Sequence, residues 1–454
     1  MAPGIVSERV SAALRMATDT RILRMGEGVL GDTAEVFRNG FGEAPALVVA
    51  DTNTFRAAGQ RVADLLRRAG IATREPFVFD DPDLHARHEH VCRIEEALRP
   101  TPAIPVAVGS GTINDLCKLA AHRCGRPYMT VATAASMDGY TAFGASITHE
   151  GAKQTFLCPA PRAVIADLEV IGAAPPELNA AGYGDLVAKV TAGADWLLAD
   201  ALGIEPIQPD AWALVQEPLR EWLARPEEIR RGDPAAIGNL TEGLLMTGFA
   251  MQVSKSSRPA SGAEHQFSHL WDMQDHRCRG RVPLHGVKVA IGTLASTLLY
   301  EALFACPVAE LDVDAACRQW PEPEELIRQA RQTHARPELA AAAARELHAK
   351  YVDRRALAGR LRTLKTAWPE LRQRLANQLI PSSRLRRMLR RAGAPDEPDR
   401  IGIDLDRLRR SYVEAQQIRR RFTVLDLAVQ TGWMGACLER LFAADGPWRR
   451  KQAD

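Results

Sequence analysis

Three segments concentrate the residue types that do chemistry. Gly182-Tyr183-Gly184-Asp185 supplies a carboxylate. Ser261-Gly262-Ala263-Glu264-His265-Gln266-Phe267-Ser268-His269 supplies two imidazoles, and Leu284-His285-Gly286 a third. A hard oxygen donor with borderline nitrogen donors, and a coordination position left open, suits a catalytic divalent metal better than a closed structural one. Each segment falls where a Gly or Pro break gives way to a helical pattern. Pro259 ends one pattern, and Ser261 with Glu264 reads as a capping box for the next. That puts His265 just inside the new helix and His269 one turn along on the same face. Asp185 is expected to open the helix after Gly182 and Gly184, and His285 the helix after Pro283. A lone histidine at any of these places is more often structural, so the i, i+4 pair carries the reading. A rival cluster, His85, His88 and His90, lacks small-residue surroundings and reads as a solvated surface.

Upstream, Val106-Ala107-Val108-Gly109-Ser110-Gly111-Thr112 reads as a strand entering a glycine turn, with a helix following through Leu116 and Ala120. Glycines let the backbone approach a ligand, and a helix start offers free N–H groups to an anion. The third glycine of the dinucleotide fingerprint is missing, and so is the Gly-Lys-Ser/Thr of a Walker loop. Alone, the segment is as readily a tight strand-to-helix turn. Thr133-Ala134-Ala135-Ser136-Met137-Asp138-Gly139 follows the next strand, at the sheet edge where open α/β sheets bind ligands. Asp51 ends the first strand, where a carboxylate serves either an adenosine ribose or a helix N-terminus.

The elements that must position these residues are of two kinds. Apolar runs at 46–50, 77–79, 104–108, 129–132 and 163–166 alternate with helical patterns, which predicts a mostly parallel sheet covered on both faces. Beyond Pro175 the strand signals stop and apolar residues recur at helical spacing. The expected organisation is an α/β nucleotide-binding domain over 1–172 and an all-α metal-binding domain over 173–454. A chain of 454 residues has room for both. Its formal net charge of +2 gives no electrostatic reason to expect nucleic acid or a membrane surface. The eight cysteines are scattered without a C-x-x-C pair, which fits free thiols in a reducing cytoplasm. The N-terminus lacks the apolar core of a signal peptide. Val287 to Ala305 is the most apolar long stretch, but with Lys288 and Glu301 in it a buried helix is expected rather than a membrane span. Residues 335–363 fit one amphipathic helix, and the arginine runs at 386–387 and 419–421 read as solvated helix faces.

Taken together these residues resemble the glycerol-1-phosphate dehydrogenase family, within the dehydroquinate synthase-like and iron-containing alcohol dehydrogenase group. The matches are Gly109 to Lys118, Thr133 to Gly139, Ala163 to Glu169, Gly182 to Lys189, Ser261 to His269 and Leu284-His285-Gly286. They cover roughly residues 40 to 300 well, and the bacterial branch is the nearer one. The resemblance implies that Gly109, Gly111, Thr112, Ile113, Asn114, Asp115, Thr133, Ala134, Ala135 and Ser136 meet NAD or NADP, with Asp51 leaning toward NAD. It further implies that Asp185, His265 and His285 hold one Zn²⁺ or Ni²⁺, that Asp138 and Asp185 touch substrate, and that His269 contacts substrate or relays a proton. Ala142 departs from the pattern, because the family usually has a serine there, and residues 306–367 run longer than the family norm.

The activity so implied is interconversion of dihydroxyacetone phosphate and sn-glycerol 1-phosphate, a small phosphorylated triose/polyol pair, with hydride passing to or from the nicotinamide. The metal would polarise the carbonyl in one direction and acidify the hydroxyl in the other. Lys153, Arg162, Lys189, Lys255 and Arg258 are cations that could face the phosphate, none singled out. The alternatives are a dehydrogenase of an unphosphorylated polyol such as glycerol, a dehydroquinate synthase-like lyase, and a non-catalytic binding relative. Oligomeric state stays open, a homodimer included.

Overall fold

The computed structural model describes residues 7–81, 84–149 and 152–449. Among the described residues eight strands precede residue 168: β1 (Ile22–Gly26), β2 (Ala46–Asp51), β3 (Phe77–Phe79), β4 (Ile104–Gly109), β5 (Met129–Ala132), β6 (Ala145–His149), β7 (Ala152–Phe156) and β8 (Ala163–Asp167). Six form one sheet in the order β1-β8-β5-β4-β2-β3, and β6 pairs with β7 alone. Every pairing in the large sheet is parallel, with Val106 opposite both Val48 and Met129. Both of its faces are covered. Val48, Val106, Val108 and Ile165 pack on one side, and Leu47, Val49, Ala107 and Ile113 on the other. That is why the interior strands are continuously apolar. From β2 the chain steps outward to β3, returns to β4, and then runs the opposite way to β5 and β8. The order therefore reverses between β2 and β4, and the carboxyl ends at that switch point carry Asp51 and Gly109.

The five strands expected from sequence are present. β1 was not expected: it is an edge strand in which only Leu23 is buried. Nor was the polar β6–β7 hairpin.

The chain packs into two compact units. The first comprises Met1–Leu186, Pro209–Ala260 and Arg391–Gly393, the second Val187–Gln208, Ser261–Arg390 and Ala394–Asp454. The boundary expected at 172/173 marks where strands end, whereas the compact units part later and are discontinuous. Within the first unit, α1 (Gly111–Arg123) follows β4, and α2 (Pro176–Val187) carries the chain to its exit after Leu186. In the second, α3 (Lys189–Ala201) follows directly. The first unit then resumes and includes α4 (Pro234–Ser254). This helix is tied to the sheet side of its unit: Thr141 donates to the Leu245 carbonyl at 2.6 Å, and Gln252 donates to the Thr141 carbonyl at 2.6 Å.

The second unit holds α5 (Ala263–Met273) and α6 (His285–Phe304). The apolar α6 is long enough to cross a membrane, but its most apolar window is 83% buried within the protein, as a core helix would be. Asp195 of α3, fully buried, ties this unit together. It accepts hydrogen bonds from Ala263 N–H (2.7 Å), Val424 N–H (2.8 Å) and Tyr300 O–H (2.6 Å).

Residues 335–363 do not form one helix. Helices Pro337–Lys350 and Arg354–Gln378 are separated by Tyr351-Val352-Asp353, and Asp353 caps the second. The arginine runs are solvated helix faces only in part, since Arg387 is exposed on the helix Ser382–Ala392. Arg386 is buried, donates to the Asp396 carbonyl and lies over the Trp448 ring. Arg419 to Arg421 occupy a loop, where Arg420 grips both oxygens of Glu346 and Arg421 reaches the Ser261 carbonyl at 2.8 Å.

Candidate metal centre and cofactor turn

The glycine turn is fixed by packing. A Cβ on Gly109 would fall 2.6 Å from the Cβ of Ile113, whose own side chain is fully buried in the sheet-side core. Gly111 faces the flexible end of Met137, and Ser110 makes no side-chain cap to α1. The first turn of α1 thus presents main chain. Thr133 N–H donates to the Gly109 carbonyl at 3.2 Å, holding the two ligand-side turns together. Ala134 and Ala135 are buried, and Ser136 nearly so. Asp51 caps the short helix after β2, one carboxylate oxygen accepting from Asn53 and Thr54 N–H.

The polar face of α1 turns toward protein. Asn114 donates to the Gly139 carbonyl at 3.2 Å and accepts from Tyr128 O–H. Asp115 accepts from Ser146 N–H at 3.1 Å. Lys118, whose side chain is 0% exposed, lies 3.4 Å from Asp115. It donates to the carbonyls of Gly139 (3.1 Å), Ala142 (2.9 Å) and Gly144 (3.0 Å). These three residues clamp the segment that follows Asp138. Lys118 was missed as a working residue from sequence. Its signal was a single charge inside the apolar run Leu116-Cys117-Lys118-Leu119-Ala120.

Asp138 is buried, and its N–H donates to Asp185 Oδ2 at 3.0 Å. Asp185 does not open a helix as expected, but sits near the end of α2, fully buried. The glycines before it are not breakers. A Cβ on Gly182 would meet the Ala135 carbonyl oxygen at 1.8 Å, so α2 lies directly on the turn after β5.

The histidines are delivered by α5 and α6. The expected Ser261–Glu264 box does not form. Gly262 is the N-cap, its N–H donates to Glu264 Oε1, and Asp195 takes the Ala263 N–H. A carboxylate from another helix has displaced the local pattern. His265 is the third residue of α5 and His285 the first of α6. Ring centroids are 5.2 Å apart for His265–His285, 6.1 Å for His265–His269 and 6.0 Å for His269–His285. The helices are locked where Gly292 meets Glu264: a Cβ there would lie 2.3 Å from the Glu264 carbonyl oxygen. One ligand atom each from Asp185, His265 and His285 lies within 4.8 Å of the others, and among the described residues no other group of this kind is found.

Glu264 Oε1 is 2.9 Å from His265 Nδ1, and Thr191 O–H donates to Oε2 at 2.8 Å. Burial pushes the Glu264 carboxyl up. The hydrogen bond and charge of His265, with the Gly262 and Thr191 donors, pull it further the other way and leave it below the usual carboxylate range. Ser268 Oγ is 3.4 Å from His285 Nδ1.

The rival histidines do not assemble, and His90 is no surface residue. It is buried against Phe79, with 5.5 Å between ring centroids, and desolvation lowers its pKa. Of the five candidate phosphate cations, Lys189 and Arg258 are buried. Arg162 reaches the Gly40 carbonyl, and Lys255 pairs with Asp19. The Lys153 side chain lies outside the described residues.

Known proteins share this architecture. An iron-containing alcohol dehydrogenase from Thermococcus thioreducens superposes with a TM-score of 0.58 at 14% identity, over 93% of this chain and 98% of that one. A maleylacetate reductase from Rhizobium sp. gives 0.60 at 18%, over 98% and 100%. Residues 24–175 match the family model described as iron-containing alcohol dehydrogenase. The fold is shared with the iron-containing alcohol dehydrogenase class, and residues 24–175 carry that class's sequence pattern. Relatives at higher identity include several named glycerol-1-phosphate dehydrogenase [NAD(P)+]. The relative in Geobacillus thermodenitrificans is 31% identical over 388 residues, 84% of this chain and 85% of its own length. That in Halalkalibacterium halodurans is 37% identical over 256 residues, 56% of this chain and 64% of its own length, so the chain spans just under two thirds of that relative. That in Methanosarcina mazei is 36% identical over 281 residues, 62% of this chain and 76% of its own length. The chain belongs to the glycerol-1-phosphate dehydrogenase family.

Proposed function

We propose that this chain is a metal-dependent, NAD(P)-linked oxidoreductase that interconverts dihydroxyacetone phosphate and sn-glycerol 1-phosphate. The observation that carries the reading is the convergence of Asp185, His265 and His285 within 4.8 Å, joined to Asp138 through the hydrogen bond of its N–H to Asp185. One carboxylate oxygen and two imidazole nitrogens, with no further protein donor in the group, fit a divalent ion that keeps a position for substrate. Zinc and nickel both accept this set. When bound, such an ion polarises a carbonyl or acidifies a hydroxyl, and a nicotinamide carries the hydride.

The remaining work falls to the chain. The Gly109–Gly111 turn and the N–H groups of Thr112 and Ile113 receive the cofactor's phosphates. Thr133 to Ser136 line its path, and Asp51, with one oxygen committed to its cap, offers the other to a ribose hydroxyl. Asn114 and Asp115 act by holding the 139–146 segment rather than by touching the nucleotide with their side chains. Asp138 orients substrate, and His269 holds or releases a proton at a ring nitrogen. The same reading places the enzyme in the cytoplasm.

The test is dialysis against chelator, followed by NADH oxidation with dihydroxyacetone phosphate as Zn²⁺ or Ni²⁺ is restored. Turnover should return with the metal. Turnover that ignores the metal, or that proceeds with the carbonyl form of glycerol but not with its phosphate, would refute the proposal.

A further inference from the structure

The two histidines of the proposed metal group are held differently at their rear nitrogens. His265 Nδ1 faces a carboxylate, Glu264 Oε1, at 2.9 Å, and His285 Nδ1 faces a hydroxyl, Ser268 Oγ, at 3.4 Å. Both partners lie on α5, four residues apart, and both are fully buried. Capping alone does not explain Glu264. The Gly262 N–H needs one neutral acceptor, and burying a full charge costs several kcal/mol on the order of a lost ion's solvation. The charge is instead matched by three donors: Gly262 N–H, Thr191 O–H and the His265 ring. Its backbone is fixed as well, because Gly292 lets α6 close on the Glu264 carbonyl.

We propose that Glu264 is a positioning residue. Its carboxylate accepts a hydrogen bond from His265 Nδ1–H, fixes the tautomer whose lone pair sits on Nε2, and makes that imidazole the stronger of the two nitrogen donors. Ser268 Oγ, able to donate to or accept from His285 Nδ1, steadies that ring without charge and without dictating its tautomer, so His285 is the weaker and more exchangeable donor. A carboxylate behind a ligating imidazole fixes ring orientation and raises basicity, whereas a hydroxyl fixes orientation alone. The inference rests on the metal reading above and goes beyond it by assigning unequal roles to the two histidines.

Glu264→Gln removes the charge and keeps the shape. The amide oxygen can still accept from Gly262 and His265. Thr191 can turn its one proton from the carboxylate to the Ala188 carbonyl, which lies 3.0 Å from its Oγ1, and accept from the new NH₂. On metal-stripped protein, zinc affinity is read by competition with a chromophoric chelator. Glu264→Gln should bind Zn²⁺ about 10–100-fold more weakly, with kcat lowered and the nicotinamide KM unchanged, and Ser268→Ala should lose less. Zinc affinity equal to wild type in Glu264→Gln, where Asp185→Asn has lost it, overturns the positioning role and leaves the metal reading standing. A wild-type protein that takes up no zinc overturns the metal reading itself. A second measurement needs no variant: ¹⁵N-imidazole spectra of the stripped wild-type protein should show His265 as the Nδ1–H tautomer, and the Nε2–H tautomer would refute the proposal.

Discussion

Replacing Lys118 by methionine tests whether the clamp on the 139–146 segment holds this site in place. Methionine nearly matches the length of the lysine stem but cannot donate. In the folded protein the ammonium, fully enclosed, serves the carbonyls of Gly139, Ala142 and Gly144 and sits beside Asp115. Removing it takes the donor from the buried carbonyls of Ala142 and Gly144, while Gly139 keeps Asn114 and the Ala142 N–H, and it weakens the compensation of one carboxylate, which keeps its Ser146 N–H. At about 1–3 kcal/mol for each of these two groups the simple sum is about 2–6 kcal/mol. Neighbouring losses do not add, because the segment relaxes and water enters as a unit. Loss of one partner from a buried charge pair costs about 3–5 kcal/mol, and that is the expected destabilisation. Urea unfolding followed by circular dichroism reads it as a lowered midpoint at similar slope. Because the clamped segment begins beside Asp138, whose N–H holds Asp185, zinc affinity should fall in the same variant. A loss under about 1 kcal/mol, the size of one ordinary hydrogen bond, would show that the segment holds itself and that Lys118 is incidental.

Other outcomes follow from the same geometry. Asp185→Asn should lose bound metal in elemental analysis and keep its circular dichroism spectrum; full metal content would remove Asp185 from the ligand set. Gly182→Ala should lower the thermal midpoint and metal content together, because its Cβ meets a backbone carbonyl at 1.8 Å, whereas Gly435→Ala, with nothing within 4 Å, should be neutral or stabilising; equal behaviour of the two would discredit the close approach. Burial lowers the pKa of His90, His276 and His334. These groups stay neutral in the folded protein while the unfolded chain takes up protons below about pH 6.5. Stability should therefore fall as the pH drops from 7.5 to 5.5, and less steeply in His276→Gln; a urea midpoint that rises on acidification would contradict this.

What was legible in the sequence had a local cause. The interior strands announced themselves because both faces are covered, which leaves no polar position between Ala46 and Ala50. β1 was hidden because an edge strand needs only Leu23 inside, and β6–β7 because Ser146, Thr148, Lys153 and Gln154 give it the look of a loop. His265 and His285 were rightly placed at helix starts, because the breaks before them are local in the sequence. The reading failed where distant chain intervenes. Gly182 looks like a helix breaker, but it is a helix residue thinned to let α2 onto the Ala135 carbonyl. Ser261 looks like a cap, but Asp195, far away in sequence, supplies the acceptor. Asn114 and Asp115, expected at the nucleotide, also bind through their side chains a segment more than twenty residues downstream, a task that nothing local announces.

The glycine turn has a consequence for how this fold changes over time. Ser110 contributes no cap, the Ile113 side chain is sunk in the core, and Asn114, Asp115 and Lys118 are engaged behind it. Beyond the Ser110 and Thr112 hydroxyls, what the turn would offer a ligand is peptide N–H, which every residue but proline carries. Mutation can silence such a surface by blocking it, but cannot retune it one side chain at a time. Lineages built on this architecture, among them one that reduces maleylacetate, would then inherit the turn whole and find new chemistry elsewhere.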